Sequence, residues 1–228
     1  MQIRGFIFDL DGVLTDTAVY HYEAWLKLAE KLNLRFDRKM NERLKGVSRY
    51  RSFEIILEEN DALDRFTEDE INTFITEKNE IYKTLIRQIT SDDILPGIKE
   101  FLREAKEQDV KLAVASASKN AHTVLRSLGI ESMFDYIADA SKIVRAKPDP
   151  EVFTDCMVHL GLNPWECIGF EDAQAGVEAI KAAGMKAVGI GVEVTSTAPD
   201  MNLQSTRELS INKIVKFFYR QKVRSVIW

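Results

Sequence analysis

The sequence predicts an α/β fold: a doubly wound parallel sheet with an all-helical domain inserted behind its first strand. Short apolar runs alternate with helix-period patterns through most of the chain, the rhythm of strand–helix–strand units. Three of the helical patterns stop at a glycine, a common signal just past the last helical turn. One stretch, residues 18 to about 88, shows helical periodicity and no convincing strand.

Taken in order, "IRGFIFD" (3–9) is the first strand. The helical stretch follows, with helices over 18–32, about 38–44, 50–59 and 67–87, the last opened by a capping box, Thr67 with Glu70. Polar or turn-rich segments flank it, "TDT" (15–17) and "ITSDDILPG" (89–97), and suit linkers. A helix over 98–107 puts Ile98, Phe101, Leu102 and Ala105 on one stripe. Then come strand "VKLAVAS" (110–116), helix 119–128 ending at Gly129, strand "YIAD" (136–139) and helix 150–160 ending at Gly161. Strand "ECIGFED" (166–172), helix 173–183 ending at Gly184 and strand "KAVGIG" (186–191) complete the pattern. The expected division is a core domain of residues 1–16 and 90–228 and a helical cap domain of residues 17–89. An insertion beside a sheet-edge loop is how a lid is added to an active site.

The 228 residues suffice for one large domain or a domain with a smaller insert. A net charge of −5 gives no reason to expect a nucleic-acid or anionic-membrane partner. No apolar run approaches the roughly 18 residues of a membrane span, and the first residues lack a secretory pattern. Cys156 and Cys167 are neither in C-x-x-C spacing nor near a histidine cluster, as expected of reduced cysteines in a cytoplasmic protein.

In an open parallel sheet, ligands bind beyond the C-terminal ends of the strands. The first strand delivers Asp9 and Asp11, the second "SASKN" (116–120), the third a loop reaching Lys147 in "AKPDP", and the fourth Glu171 and Asp172. Singly, these are a turn, helix caps, a surface lysine and an acidic helix start. Together, each after a strand, they describe a site. Buried carboxylates cost several kcal/mol unless paired or bound to a cation. Carboxylates with serine and lysine suit Mg²⁺ and a phosphate.

"DLDGVLTD", "SASKN", "AKPDP" and "GFEDAQAGVEAIKAAG" resemble, in type and order, the four motifs of the haloacid dehalogenase superfamily, whose core is Rossmann-like. Within it, "TDTAVYHYEAW", "LKGVSR", "EKNEIY" and "SASKN" are similar to the β-phosphoglucomutase family. That resemblance implies an isomerase interconverting β-glucose 1-phosphate and glucose 6-phosphate, with Mg²⁺ and glucose 1,6-bisphosphate as the activating intermediate. It implies Asp9 as nucleophile and Asp11 as general acid/base, with Thr17 and His21 helping to set Asp11. The metal ligands would be Asp9, the main-chain carbonyl of Asp11, and Asp172, with Glu171 adjacent. Ser116, Ala117 and Lys147 would hold the transferring phosphoryl group. Ser118, Lys119, Asn120 and Arg49 would hold the other phosphate or the sugar hydroxyls. Trp25, Gly46, Val47, Ser48, Ser52 and Lys78 complete the implied substrate-binding set.

The residues themselves leave points open. Lys78 lies on the stripe Ile71, Phe74, Ile75, Tyr82, Leu85, where it either snorkels to solvent or reaches into a cleft. His21 shares a stripe with Trp25, Leu28 and Leu32, which alone suits a core residue. Arg145 adds a cation two residues before Lys147, and the tail after residue 191 carries no recognisable motif. A phosphatase acting on a small sugar phosphate needs the same core as a mutase. A sugar-phosphate sensor is a third reading, disfavoured by the intact Asp9, Asp11, Lys147 and Asp172. A monomer is expected, with a small sugar phosphate as its partner.

Overall fold

The computed structural model describes residues 3–44 and 47–224, with 219–224 by backbone alone. Six parallel strands form one sheet in the order β3-β2-β1-β4-β5-β6. They are β1 (Gly5–Phe8), β2 (Lys111–Val114), β3 (Tyr136–Ile137), β4 (Cys167–Glu171), β5 (Lys186–Ile190) and β6 (Met201–Leu203). The strands are one to two residues shorter at most ends than the apolar runs suggested. Their last apolar residues continue into the buried starts of the loops, as Leu10 and Ala115 do.

Alternation of period two sorts the side chains to two faces. Phe6, Phe8, Leu112, Val114, Ile168 and Phe170 pack on one, under α5 (Ile98–Glu107) and α6 (Ala121–Ser127). Ile7, Ala113, Cys167 and Ala187 pack on the other, under α7 (Glu151–Leu160) and α8 (Gln174–Ala182). Both cysteines are free and buried. Phe8 stacks on Phe170 at 4.6 Å, a rigid aromatic floor directly below the strand ends.

The register makes the loops converge. Phe8 lies level with Val114 on one side and Phe170 on the other. The next residues, Asp9 and Ala115, therefore leave the sheet at its C-terminal edge, beside Glu171 at the end of β4.

Residues between β1 and α5 are helical, as expected: α1 (Ala18–Lys31), α2 (Arg38–Glu42), α3 (Arg49–Glu58) and α4 (Glu68–Leu85). The predicted capping box opens α4, Thr67 and Glu70 each satisfying the other's backbone N–H. These helices bury a cluster of their own, with Trp25, Leu28, Phe53, Ile56 and Ile71 at its centre. The C-terminal end of α4 joins the sheet-face cluster through Tyr82 and Leu85, and α1 joins it through Ala24. The two connections to the sheet run side by side. Thr15 Oγ1 donates to the Asp93 carbonyl at 2.7 Å, and Leu95 N–H to the Leu14 carbonyl at 3.0 Å.

The tail beyond residue 191 completes the sheet rather than standing apart from it. Asp200 accepts the Ala187 N–H at 2.8 Å and pairs with Lys181 and Lys186, which docks β6 beside β5. α9 (Ile211–Arg224) then returns over the face covered by α5, burying Ile211 and Ile214. No helix among the described residues is long and apolar enough to cross a membrane.

Candidate active site

Asp9 follows β1 directly, its N–H donating to the Phe170 carbonyl at 3.0 Å. Gly12 then turns the chain with φ of +78°. A Cβ there would sit 2.1 Å from Asp172 Oδ2, so only glycine both adopts the turn and admits that carboxylate. Gly176 plays the same part for Glu171, whose Cδ would lie 1.9 Å from an added Cβ. These two glycines bring Asp172 and Glu171 up to Asp9. The three carboxylates offer oxygens that all lie within 4.8 Å of one another.

Lys147 enters this cluster from the loop after β3. Its Nζ donates to Asp9 Oδ1 and to Glu171 Oε1, both at 2.5 Å, and its side chain is almost wholly buried. Glu171 Oε2 accepts the Ala173 N–H at 3.0 Å. Burial drives the Asp9 carboxyl well above its ordinary pKa; Lys147 opposes this, and Glu171, Asp11 and Asp172 add to it. Burial alone would lower Lys147, but Asp9 and Glu171 outweigh it and hold the ammonium firmly charged. Three carboxylates gathered around one ammonium form a group that could hold a divalent cation. An all-oxygen, all-carboxylate donor set suits a hard ion.

Asp11 behaves differently. Its Oδ1 accepts a short hydrogen bond from Thr17 Oγ1. Thr17 holds the N-cap position of α1, yet its hydroxyl caps nothing and is turned to Asp11; Asp16 accepts the Ala18 N–H instead. Burial raises the Asp11 pKa, against the Thr17 bond and the charge of Lys147.

The loop after β2 is braced by its own hydroxyls. Ser118 N–H donates to Ser116 Oγ at 3.1 Å and Asn120 N–H to Ser118 Oγ at 3.2 Å. Ser116 and Asn120 are buried, while Ala117 and Lys119 are exposed. Asn120 Nδ2 reaches α4 and donates to Asn79 Oδ1 at 3.0 Å, tying the sheet's loop to the helical segment.

The helices bring a second group of charges. Lys78 is 1% exposed, so it does not snorkel. Its Nζ lies 2.8 Å from His21 Nδ1 and sits over the rings of Trp25 (4.8 Å) and Tyr82 (5.2 Å). His21 stacks on Tyr82 at 4.0 Å. Burial and the nearby Arg49 bring Lys78 down to about 7, with Asp11 pulling the other way. Burial, Lys78 and Arg49 push His21 well below its usual range, which keeps the imidazole neutral. Its Nδ1 then accepts from Lys78 and leaves Nε2–H as a donor. Arg49 opens α3 half-buried, its pKa lowered by burial, and forms no ion pair with a carboxylate among the described residues.

A family model for haloacid dehalogenase-like hydrolases matches residues 6–190. The chain belongs to the haloacid dehalogenase-like hydrolases. Among relatives, the chain is 40% identical to the beta-phosphoglucomutase of Bacillus subtilis (strain 168), over 99% of this chain and 100% of that one. It is 30% identical to a phosphorylated carbohydrates phosphatase of Thermotoga maritima, over 80% of this chain and 82% of that one. Among solved structures, the crystal structure of a beta-phosphoglucomutase from Clostridium difficile superposes with a TM-score of 0.93. It is 46% identical, covering 97% of this chain and 100% of that one.

As a haloacid dehalogenase-like hydrolase, the chain gathers most of the residues its sequence pointed to. Asp9, Asp11, Glu171, Asp172, Lys147 and Ser116 meet at the sheet's C-terminal edge. His21, Trp25 and Lys78 form one packed group on α1 and α4. Ser52 is buried on α3, while Ser48 caps that helix by accepting the Arg51 N–H and Val47 is exposed. Gly46 lies outside the described residues. Arg145 stays out of the site, exposed and held by Glu151 and Asp149. The sequence reading missed Asn79 and the polar end of Tyr82. Asn79 follows Lys78 directly and could have been noticed for that; Tyr82 looked like one more apolar member of its stripe.

Proposed function

We propose that this haloacid dehalogenase-like hydrolase works as a β-phosphoglucomutase, with residues 1–16 and 90–228 as catalytic core and residues 17–89 as a cap. The observation that carries this reading is the second cationic site. Arg49 lies close enough to help burial depress Lys78, both cations help burial depress His21, and neither cation forms an ion pair with a carboxylate among the described residues. Paired like charges of this kind are costly unless an anion arrives between them. A phosphatase has to grip one phosphate and admit water. A mutase must hold a phosphate at each end of the sugar, one at Lys147 and one at the cap. The full-length similarity to two β-phosphoglucomutases supports the same reading.

In this account Asp9 forms a bond to phosphorus as the sugar oxygen leaves, giving an aspartyl-phosphate. Asp11 supplies the proton that the leaving oxygen needs. In the other half-reaction the 6-hydroxyl of β-glucose 1-phosphate attacks the aspartyl-phosphate, Asp11 takes its proton and the bond to Asp9 breaks. The glucose 1,6-bisphosphate so formed then returns its 1-phosphate to Asp9 and leaves as glucose 6-phosphate. Mg²⁺, held by Asp9, Asp172 and the Asp11 carbonyl with Glu171 alongside, would supply the positive charge that lets an anionic phosphate meet an anionic nucleophile. Lys147, bonded to Asp9 and Glu171, adds a second positive charge, and Ser116 and Ala117 hold the transferring group. Ser118, Lys119, Asn120 and Arg49 hold the distal phosphate. His21, fixed by Lys78, orients Asp11 together with Thr17, and Trp25, Val47, Ser48 and Ser52 line the sugar's space. We expect the enzyme to act as a cytoplasmic monomer, a compartment that two free buried cysteines suit.

Product analysis tests this. Supplied with β-glucose 1-phosphate, Mg²⁺ and a trace of glucose 1,6-bisphosphate, the enzyme should form glucose 6-phosphate in large excess over free phosphate. Free phosphate as the main product would instead favour a sugar phosphatase, the activity named for the Thermotoga relative.

A further inference from the structure

The phenol of Tyr82 has no role in the mechanism above, yet it lies at its centre. Tyr82 is 1% exposed, and its hydroxyl is the one buried side-chain N/O atom among the described residues without a hydrogen-bond partner. The ring alone accounts for the packing: it stacks on His21, supports Lys78 by a cation–π contact, and fills the cluster around Val13, Leu14 and Ala24. Phenylalanine would do all of this without burying an unpaired hydroxyl, which is destabilising. The hydroxyl therefore calls for a partner that arrives in another state of the site.

The neighbours of that hydroxyl narrow the choice. Asp11 and Thr17 both act on the ionisation of the phenol, so both are close, but Thr17 is not placed to bond it with regular geometry. Thr17 is wholly buried, and its hydroxyl is spent on Asp11 Oδ1. An acid/base carboxylate has to turn its oxygens to the sugar. Whenever Asp11 does so, the Thr17 hydroxyl is stranded where no water reaches it, a cost that would hold Asp11 back.

We infer that Tyr82 is a positioning residue for Asp11: its hydroxyl accepts the Thr17 O–H when Asp11 turns to the sugar, so that the carboxylate is released without leaving a buried donor unpaired. The inference rests on Asp11 being the acid/base of the proposed mutase. In the resting arrangement Tyr82 is unpaired and Thr17 is satisfied; in the working arrangement Tyr82 and Thr17 satisfy each other. The number of buried hydrogen bonds within the protein is then unchanged by the movement of Asp11 toward its substrate.

Tyr82→Phe tests this, because it removes one oxygen and keeps the ring. The variant should fold with a melting temperature no lower than the parent. Its mutase kcat should fall by about tenfold, the effect of one lost net hydrogen bond on the working state, with KM for β-glucose 1-phosphate within about twofold. Thr17→Val removes the donor, so adding Tyr82→Phe to Thr17→Val should cost nothing further, the signature of coupled residues in a double-mutant cycle. An unchanged kcat in Tyr82→Phe would overturn the inference. So would a second full loss in the Thr17→Val background, which would make the hydroxyl independent of Thr17. Asp11→Asn is assayed alongside: mutase activity surviving in that variant would mean that the acid/base assignment is at fault, and not the role of Tyr82.

Discussion

Truncating Arg49 to alanine should separate the two phosphate sites. The guanidinium is half-buried and forms no ion pair with a carboxylate among the described residues. Its removal therefore strands no opposite charge, and stability should change by no more than about 1 kcal/mol. The loss falls on the ligand. Hydrogen bonds to a charged group contribute about 1.5–3 kcal/mol, which is about ten- to hundredfold in kcat/KM. Lys78 sets the lower end of that range, since without Arg49 beside it its pKa should rise from about 7 and leave one full cation in place. The assay compares kcat/KM for glucose 1,6-bisphosphate with that for p-nitrophenyl phosphate, which has no distal phosphate. The bisphosphate should lose the full factor and the monoester almost nothing. Equal losses on the two substrates would refute the reasoning, because Arg49 would then act on the core site or on the fold.

Asp9→Ala should abolish turnover while the fold persists, measured by activity and by circular dichroism; substantial residual activity would remove the nucleophile from the account. EDTA should abolish activity and Mg²⁺ restore it, and Asp172→Ala should raise the Mg²⁺ requirement in a metal titration; Ca²⁺, larger and looser in geometry, should compete yet support little turnover. Lys78 carries its charge below its pKa of about 7 and loses it above, so KM for glucose 1,6-bisphosphate should rise as pH passes upward through that value. Lys78→Met should have the higher KM at every pH and lose that inflection; a persistent inflection would assign it to another group.

The sheet and its site were legible because the chemistry follows the strands. Phe8, Val114 and Phe170 lie level at the sheet's C-terminal edge, so residues that look scattered at 9, 116 and 171 arrive together. The predicted helix over 98–107 is found over those same residues, because its stripe of Ile98, Phe101, Leu102 and Ala105 has one side to bury. Lys78 was legible as an anomaly, a cation on an apolar stripe, but only packing decides between snorkelling and burial. The tail was not legible. β6 has three residues, too few for an alternating pattern, and it is held by Asp200 reaching back to Ala187, a contact with no local sequence signature. Arg145 was left open by the sequence: two residues before Lys147, it is drawn outward by Glu151 and Asp149. The hydroxyl of Tyr82 was hidden by its own ring, since an aromatic at a core spacing needs no second explanation until its oxygen is found without a partner.

The central claim is that one phosphoryl group stays with the protein while the sugar carries two phosphates between half-reactions. Initial rates on β-glucose 1-phosphate, with glucose 1,6-bisphosphate varied from none to saturation, test it most directly. Unphosphorylated enzyme given only β-glucose 1-phosphate and Mg²⁺ should start with a lag, and a trace of bisphosphate should abolish that lag and raise the rate of glucose 6-phosphate formation to saturation. A lag-free rate that ignores the bisphosphate would contradict the account.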